Sequence, residues 1–316
     1  MTENFRGLPL QHIPHGWNAA DLPDLSGKRF LITGGTSGIG KEAARELARA
    51  GASVTISARS RDKGDKVRKE ISIERVDVLE LDLADLGSVR KAAREVKDDI
   101  DVLILNAGVM AVPFTRTADG FELQIGTNHF GHFAFAGLIR SKVRSRIVTV
   151  SSQAHRTGNF GDGSIQKIRE IALGENKYNP WAAYGASKLA NLLFTFELER
   201  RSIREGWGIH AFAAHPGYSN TNLQSVGPKA KGSVVEERAT ALMNAVIAQS
   251  AAKGALPTLC AATFPDLYGA SYIGPSGFME MRGYPKAVRA RSIAYDQVLA
   301  QNLWSVSEEL TGVQWR

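Results

Sequence analysis

A chain of 316 residues, 43% hydrophobic and 22% charged, is long enough to bury a large core, and it carries no low-complexity tract or fixed-period repeat. Lys and Arg number 39 against 32 Asp and Glu, for a net charge of +7, but the basic residues are scattered through helical patterning without interleaved aromatics, so nucleic acid is not an expected partner. The single cysteine, Cys260, excludes an internal disulfide framework and has no second thiol for a metal site.

Met1 to Ser26 holds three prolines and no apolar run long enough for a signal peptide or a membrane span. It is read as the N-terminal arm, 1–26, of a cytoplasmic protein. From Lys28 onward short β-rich runs alternate with helical stretches, the pattern of a parallel sheet with helices on both faces. The expected strands are Arg29 to Thr33, Ser53 to Ser57, Val76 to Leu81, Val102 to Leu105, Ile147 to Val150, Ile209 to Ala213 and Ser271 to Ile273. Between them Ile39, Ala43, Ala44 and Leu47 fall at helical spacing, as do Leu189, Leu192, Leu193 and Phe196. No linker interrupts Lys28 to Gly283. The expected fold class is therefore α/β: one domain over 27–283 with a doubly wound, seven-stranded parallel sheet, followed by a C-terminal extension, 284–316.

The first strand runs into Thr33-Gly34-Gly35-Thr36-Ser37-Gly38-Ile39-Gly40 and then a helix. Glycine lets the backbone approach a pyrophosphate, and the helix start offers unpaired N–H donors and partial positive charge, so this is an anion site. Gly35 to Lys41 also fits the first seven positions of a nucleotide triphosphatase phosphate loop. Glu42, however, stands where that loop needs a hydroxyl for Mg²⁺; the triphosphatase reading predicts Mg²⁺-dependent ATP binding there. In dinucleotide folds an acid at the end of the second strand binds the ribose 2′-hydroxyl, whereas an arginine accommodates a 2′-phosphate. Here that strand ends Ser57-Ala58-Arg59-Ser60, which favours NADP(H) over NAD(H).

Tyr184 and Lys188 are four residues apart in a helical run, and none of the other six tyrosines has a lysine at that spacing. A phenol is a poor proton partner at neutral pH unless a cation lowers its pKa, which Lys188 is placed to do. Ser151-Ser152, delivered by the fifth strand, supplies a hydroxyl that can hold a substrate oxygen against Tyr184.

With these motifs in order, the sequence from Leu25 onward resembles the short-chain dehydrogenase/reductase family, and the resemblance implies a Rossmann-like fold. Thr33-Gly34 through Gly38-Ile39-Gly40 is similar to its TGxxxGxG cofactor loop, with Gly34, Thr36, Ser37, Gly38, Ile39 and Gly40 expected at the phosphates. Asp82-Leu83 resembles the family's adenine-side pair, and Asn106-Ala107-Gly108 its NAG turn. Asn128 resembles the active-site Asn that relays protons to the lysine through water, completing a tetrad with Ser152, Tyr184 and Lys188. Pro216-Gly217 with Thr221 resembles the motif closing over the nicotinamide. The stretches Thr127 to Phe133, Tyr184 to Asn191, Ile273 to Pro285 and Leu303 to Gly312 resemble the group of retinol dehydrogenases, WW-domain oxidoreductases and bacterial relatives, which act on lipophilic carbonyls and alcohols.

The resemblance implies an NADP(H)-dependent enzyme interconverting a carbonyl and its alcohol, with a small-molecule substrate and a homo-oligomeric state, dimer or tetramer. The alternative is a catalytically silent NADP(H)-binding sensor or scaffold. Ser152 and Tyr184 are 32 positions apart, more than in compact members, and Gln153 to Ala183 is expected to form a substrate lid. Trp181, Tyr178 and Phe160 either line a pocket beneath it or anchor it. Gly131 to Arg146 is shorter than in relatives, which bears on the fourth helix. His129 and His132 have metal-compatible spacing but no third ligand, so no metal is expected. Phe130, Phe133 and Phe135 are expected in the core or at a subunit interface.

Overall fold

The computed structural model describes residues 5–175, 177–218 and 249–316. Its strands are β1 (Arg29–Ile32), β2 (Ser53–Ala58), β3 (Val76–Glu80), β4 (Ile100–Leu105), β5 (Val143–Val150), β6 (His210–Ala214), β7 (Tyr272–Pro275) and β8 (Pro285–Ala287). They form one sheet in the order β3-β2-β1-β4-β5-β6-β7-β8, parallel except for β8, which pairs antiparallel with β7. The expected sheet thus has eight strands rather than seven. The extra one is a three-residue edge strand that begins with proline, which is tolerated where no ladder donor is required.

Both faces of the sheet are covered, and the central strands β1, β4 and β6 are apolar over most of their length. Alternate side chains still divide between two cores. Leu31, Leu103, Leu105 and Ile147 face one, with α3 (Leu86–Glu95), α5 (Gly131–Ile139) and α7 (Pro180–Glu205). Phe30, Ile32, Val102, Ile104 and Val148 face the other, with α1 (Gly38–Arg49), α2 (Arg61–Ile71) and α8 (Ala251–Thr263). The stripes read from the sequence lie where their spacing puts them: Ala43, Ala44 and Leu47 of α1 and Leu189, Leu192, Leu193 and Phe196 of α7 are buried. Each fully buried Leu contributes about 1.5–3 kcal/mol relative to exposure.

Two helix starts matter for the site. Helix α7 begins with Asn179 accepting from the N–H groups of Trp181 and Ala182, with Pro180 in its first turn. Before α5, α4 (Leu123–Ile125) passes into a π turn, Gly126–Phe130, where the Gly131 N–H reaches the Gly126 carbonyl. Such a turn rotates the side chains that follow it and is frequent at functional sites. Helix α5 then ends in a single 3₁₀ turn, Arg140–Lys142, that leads directly into β5.

The two ends of the chain are packed down. Ile13 and Trp17 of the arm are buried, Trp17 edge-on to Phe264, and Phe5 lies against Phe196. Residues 284–316 contribute β8 and α9 (Gln297–Thr311), whose Leu303 and Trp304 are buried over α5 and α7 with Trp315. Phe130, Phe133 and Phe135 are all in the core.

Candidate active site

The glycine loop sits on the turn after β4. A Cβ on Gly34 would come within 2.9 Å of Ala107, one on Gly35 within 2.5 Å of Ile56, and one on Gly40 within 2.5 Å of both Asn106 Nδ2 and the Gly34 carbonyl. Asn106 Nδ2 donates to the carbonyls of Thr33 (2.9 Å) and Gly34 (3.3 Å), and Thr33 Oγ1 accepts from the N–H groups of Asn106 and Ala107. Loop and NAG turn are therefore one unit that only glycine admits. Ser37, the N-cap of α1, makes no side-chain cap, and no acid stands in the first turn, so the helix's leading N–H groups and their dipole remain for an anion. Thr36 is half-buried, Ser37 exposed and Ile39 partly exposed on this rim. These features fit a dinucleotide pyrophosphate.

The triphosphatase alternative loses its lysine: Lys41 pairs with Glu70 on α2, and Glu42 pairs with Arg45. Arg59 stands exposed at the end of β2 and has no ion-pair partner among the described residues. Asp82 is partly buried after β3, where its Oδ1 accepts from the Ala84 N–H. Leu83 is buried, its carbonyl 2.2 Å from where a Cβ on Gly131 would stand, so α5 packs directly on this turn.

The four residues of the expected tetrad come together from separate elements. Tyr184 and Lys188 lie one turn apart on α7, both buried, with Lys188 Nζ 5.8 Å from the Tyr184 ring centroid. Ser152, just after β5, stands beside the Tyr184 phenol, where its side chain acts to lower the phenol pKa. Lys188 Nζ donates to the Val150 carbonyl at 3.0 Å, and burial lowers its pKa to about 8. A Cβ on Gly108 would lie 3.0 Å from Asn128 Oδ1 and 3.5 Å from Lys188 Nζ, so the NAG turn, Asn128 and Lys188 share one pocket wall. One expectation is corrected. Burial pushes the Tyr184 phenol up to about 12, against the Ser152 side chain, which acts to lower it, while Lys188 Nζ is engaged by the Val150 carbonyl.

Asn128 is fixed more firmly than a relay alone requires. Its Oδ1 accepts from the Val109 N–H (2.8 Å), and its Nδ2 donates to the Val109 carbonyl and to Ser187 Oγ, both at 2.9 Å. Its carbonyl accepts from His132 Nδ1 at 3.0 Å, which leaves His132 Nε2 to accept from the Thr33 hydroxyl at 2.7 Å. Burial holds His132 down at about 4, so the ring is a neutral link between the glycine loop and the active-site turn. His129 is likewise occupied, by Ser307 at 2.8 Å. The sequence reading missed His132, Ser187 and Thr33 as supports; the spacing of Asn128 and His132, one helical turn, was the available signal for the first.

Pro216-Gly217 follows β6. Gly217 has φ +65°, and a Cβ there would meet the Met281 carbonyl at 2.4 Å, so residues 276–284 lie directly over this turn. Thr221 lies outside the described residues. In the stretch 153–183 a 3₁₀ turn (Gln153–Thr157) and α6 (Ile165–Leu173) pack on α7 and α9. Phe160 is buried in the core and Tyr178 anchors the loop by donating to the Val112 carbonyl; Trp181, 57% exposed, packs edge-on to the Tyr184 ring. Of the three aromatics, Trp181 alone borders the phenol.

Comparison with known proteins accords with this arrangement. The short chain dehydrogenase family profile matches residues 28–166. Human Retinol dehydrogenase 11 is 44% identical over 210 residues, a stretch spanning 63% of each chain. Human Retinol dehydrogenase 14 is 34% identical over 338 aligned positions, covering 99% of this chain and 94% of its own. The crystal structure of an uncharacterised protein from Mycobacterium paratuberculosis superimposes with a TM-score of 0.80 at 42% identity, over 95% of this chain and 99% of that one. Cofactor loop, tetrad geometry and near full-length similarity converge: the chain belongs to the short-chain dehydrogenase family and resembles its retinol dehydrogenases.

Proposed function

We propose that this oxidoreductase interconverts a lipophilic ketone or aldehyde and its alcohol with NADP(H), Tyr184 acting as general acid and base. The observation that carries the reading is the buried Tyr184 phenol, beside Ser152 and one helical turn from the Lys188 ammonium. The glycine loop with the α1 N-terminus would hold the pyrophosphate and Arg59 the 2′-phosphate, with Asp82-Leu83 toward the adenine, Asn106-Ala107-Gly108 along the cofactor and Pro216-Gly217 at the nicotinamide end. When bound, the cofactor supplies or accepts the hydride and, oxidised, brings a positive charge to the site.

Ser152 and Tyr184 orient the carbonyl oxygen. A phenol held near 12 is fully protonated at neutral pH, as the acid in reduction must be. Lys188 keeps its proton below about 8 and, with Asn128, replenishes Tyr184 after donation. Oxidation requires the phenolate, which the positive charge of the oxidised cofactor would favour. Retinol dehydrogenases, by name, act on a lipophilic alcohol, and that supports the lipophilic class proposed here.

The test is Tyr184→Phe. NADPH affinity by fluorescence titration should remain within about threefold, while carbonyl reduction falls by about 10²–10⁴-fold. A variant retaining the wild-type rate overturns the assignment. Tight NADPH binding by the wild type without turnover of any carbonyl favours the sensor alternative.

A further inference from the structure

Next to the tetrad is a second polar cluster that the proposed mechanism does not use. Glu280 lies in the segment over the Pro216-Gly217 turn, its side chain 18% exposed. Its Oε2 accepts from His215 Nε2 at 3.1 Å and from Gln153 Nε2, and Arg156 Nη2 stands 3.8 Å from its other oxygen. The donors come from both flanks of the site: Gln153 directly follows Ser152, and His215 directly precedes Pro216.

The partners fix the protonation pattern. His215 Nδ1 accepts from the Gly217 N–H at 3.2 Å, so the ring proton is on Nε2 and points at Glu280. His215 is fully buried and packs on β7, where a Cβ on Gly274 would fall 2.0 Å from its Nε2. Gln153 presents its carbonyl to Arg156 Nε at 2.6 Å, which forces its amide toward the carboxylate. Burial acts to raise the Glu280 carboxyl, but the His215 and Gln153 donors and the Arg156 charge outweigh it and keep it ionised. Met279 and Glu280 hold left-handed backbone (φ +49° and +56°), a conformation that persists in non-glycine residues only when the surroundings enforce it. The Met281 carbonyl completes the attachment by accepting from the Tyr218 N–H at 2.7 Å.

We propose that Glu280 is a positioning residue: through Gln153 and His215 it holds the Ser152 turn and the Pro216-Gly217 turn in fixed relation, so that the carbonyl oxygen and the nicotinamide end meet in one geometry. The inference rests on the carbonyl–alcohol reading above. Sub-ångström slack between reacting groups costs rate more than affinity, so the effect belongs in kcat.

The experiment measures NADPH-dependent reduction of the best carbonyl substrate from an aldehyde and ketone screen, for full-length Glu280→Ala, Glu280→Gln, Gln153→Ala and the Gln153→Ala/Glu280→Ala double variant. Glu280→Ala should lower kcat/KM about tenfold or more, mainly through kcat, with the KM for NADPH changed less than about threefold. Glu280→Gln keeps one acceptor oxygen and should recover part of the loss. In the double variant the two losses should overlap rather than multiply. A second arm needs no turnover: hydrogen exchange in Glu280→Ala, or in Glu280→Gln if the alanine variant does not fold, should quicken together in 152–158 and 215–218. Wild-type kcat/KM in Glu280→Ala, multiplying losses, or faster exchange confined to 276–284 would each overturn the proposal. If the wild type reduces no carbonyl, the functional reading fails and the exchange arm still decides this inference.

Discussion

Arg59 is the residue at which the proposed preference for NADP(H) can be tested most directly. Its place at the end of β2, the lack of an acid beside it and its lack of an ion-pair partner among the described residues support the proposed 2′-phosphate contact. Arg59→Asp should lower the preference for NADPH over NADH by about 10–100-fold, as loss of a charge-assisted pair and added repulsion would. Parallel fluorescence titrations with the two cofactors check this, and an unchanged ratio would place the 2′-phosphate elsewhere. The tetrad was legible in the sequence, since Tyr184 and Lys188 share one helix and Ser152 ends one strand. The groups that hold those residues were not, because their partners lie far along the chain: Gln153 meets Glu280 127 residues away, and the Arg291 N–H donates to His155 136 residues back. No local spacing rule reaches that distance. The raised Tyr184 pKa was also illegible, since it is set by a burial that only the fold determines.

Among the elements, strands β1 to β7 were legible within a residue or two at most ends, because each holds a short β-branched or apolar run set between helical stretches. Strand β8 carries no such pattern: Pro285-Lys286-Ala287 is short, begins with proline and pairs along one edge only. Helix α9 shows how an extension becomes structural. Trp304 is buried with ring contacts to Phe133 at 5.1 Å, Phe194 at 5.7 Å and Trp315 at 5.1 Å, and the Arg201 guanidinium covers its face at 4.3 Å. Trp304→Ala should cost about 3–5 kcal/mol, from lost burial and the cavity left behind. Urea denaturation followed by circular dichroism measures it, and a loss under about 1 kcal/mol would mean that α9 contributes little to the core.

Over the whole molecule, buried neutral histidines set the response to acid. Burial lowers His129 to about 3 and His132 and His155 to about 4, from an ordinary 6.5. These are depressed bases, so the unfolded chain takes up protons as pH falls below about 6.5 while the folded chain does not until about 4. Stability should therefore fall through that window by about 1.4 kcal/mol per pH unit for each such histidine, and be flat above about pH 7.5 as far as these groups are concerned. Thermal unfolding followed from pH 7.5 to 4.5 reads this directly; a melting temperature constant across that range would show that the rings accept protons inside the fold. The order of the sheet has one more consequence, for synthesis. After β3 each later strand adds to the same growing edge, so most of the sheet can assemble as the chain leaves the ribosome. The covering of Phe133 and Phe194 cannot, because it is made by α9 and Trp315, which follow every strand of the sheet in the chain. Until α9 docks, the partly assembled sheet displays an aromatic face, so docking of this helix closes a window in which exposed apolar surface favours association.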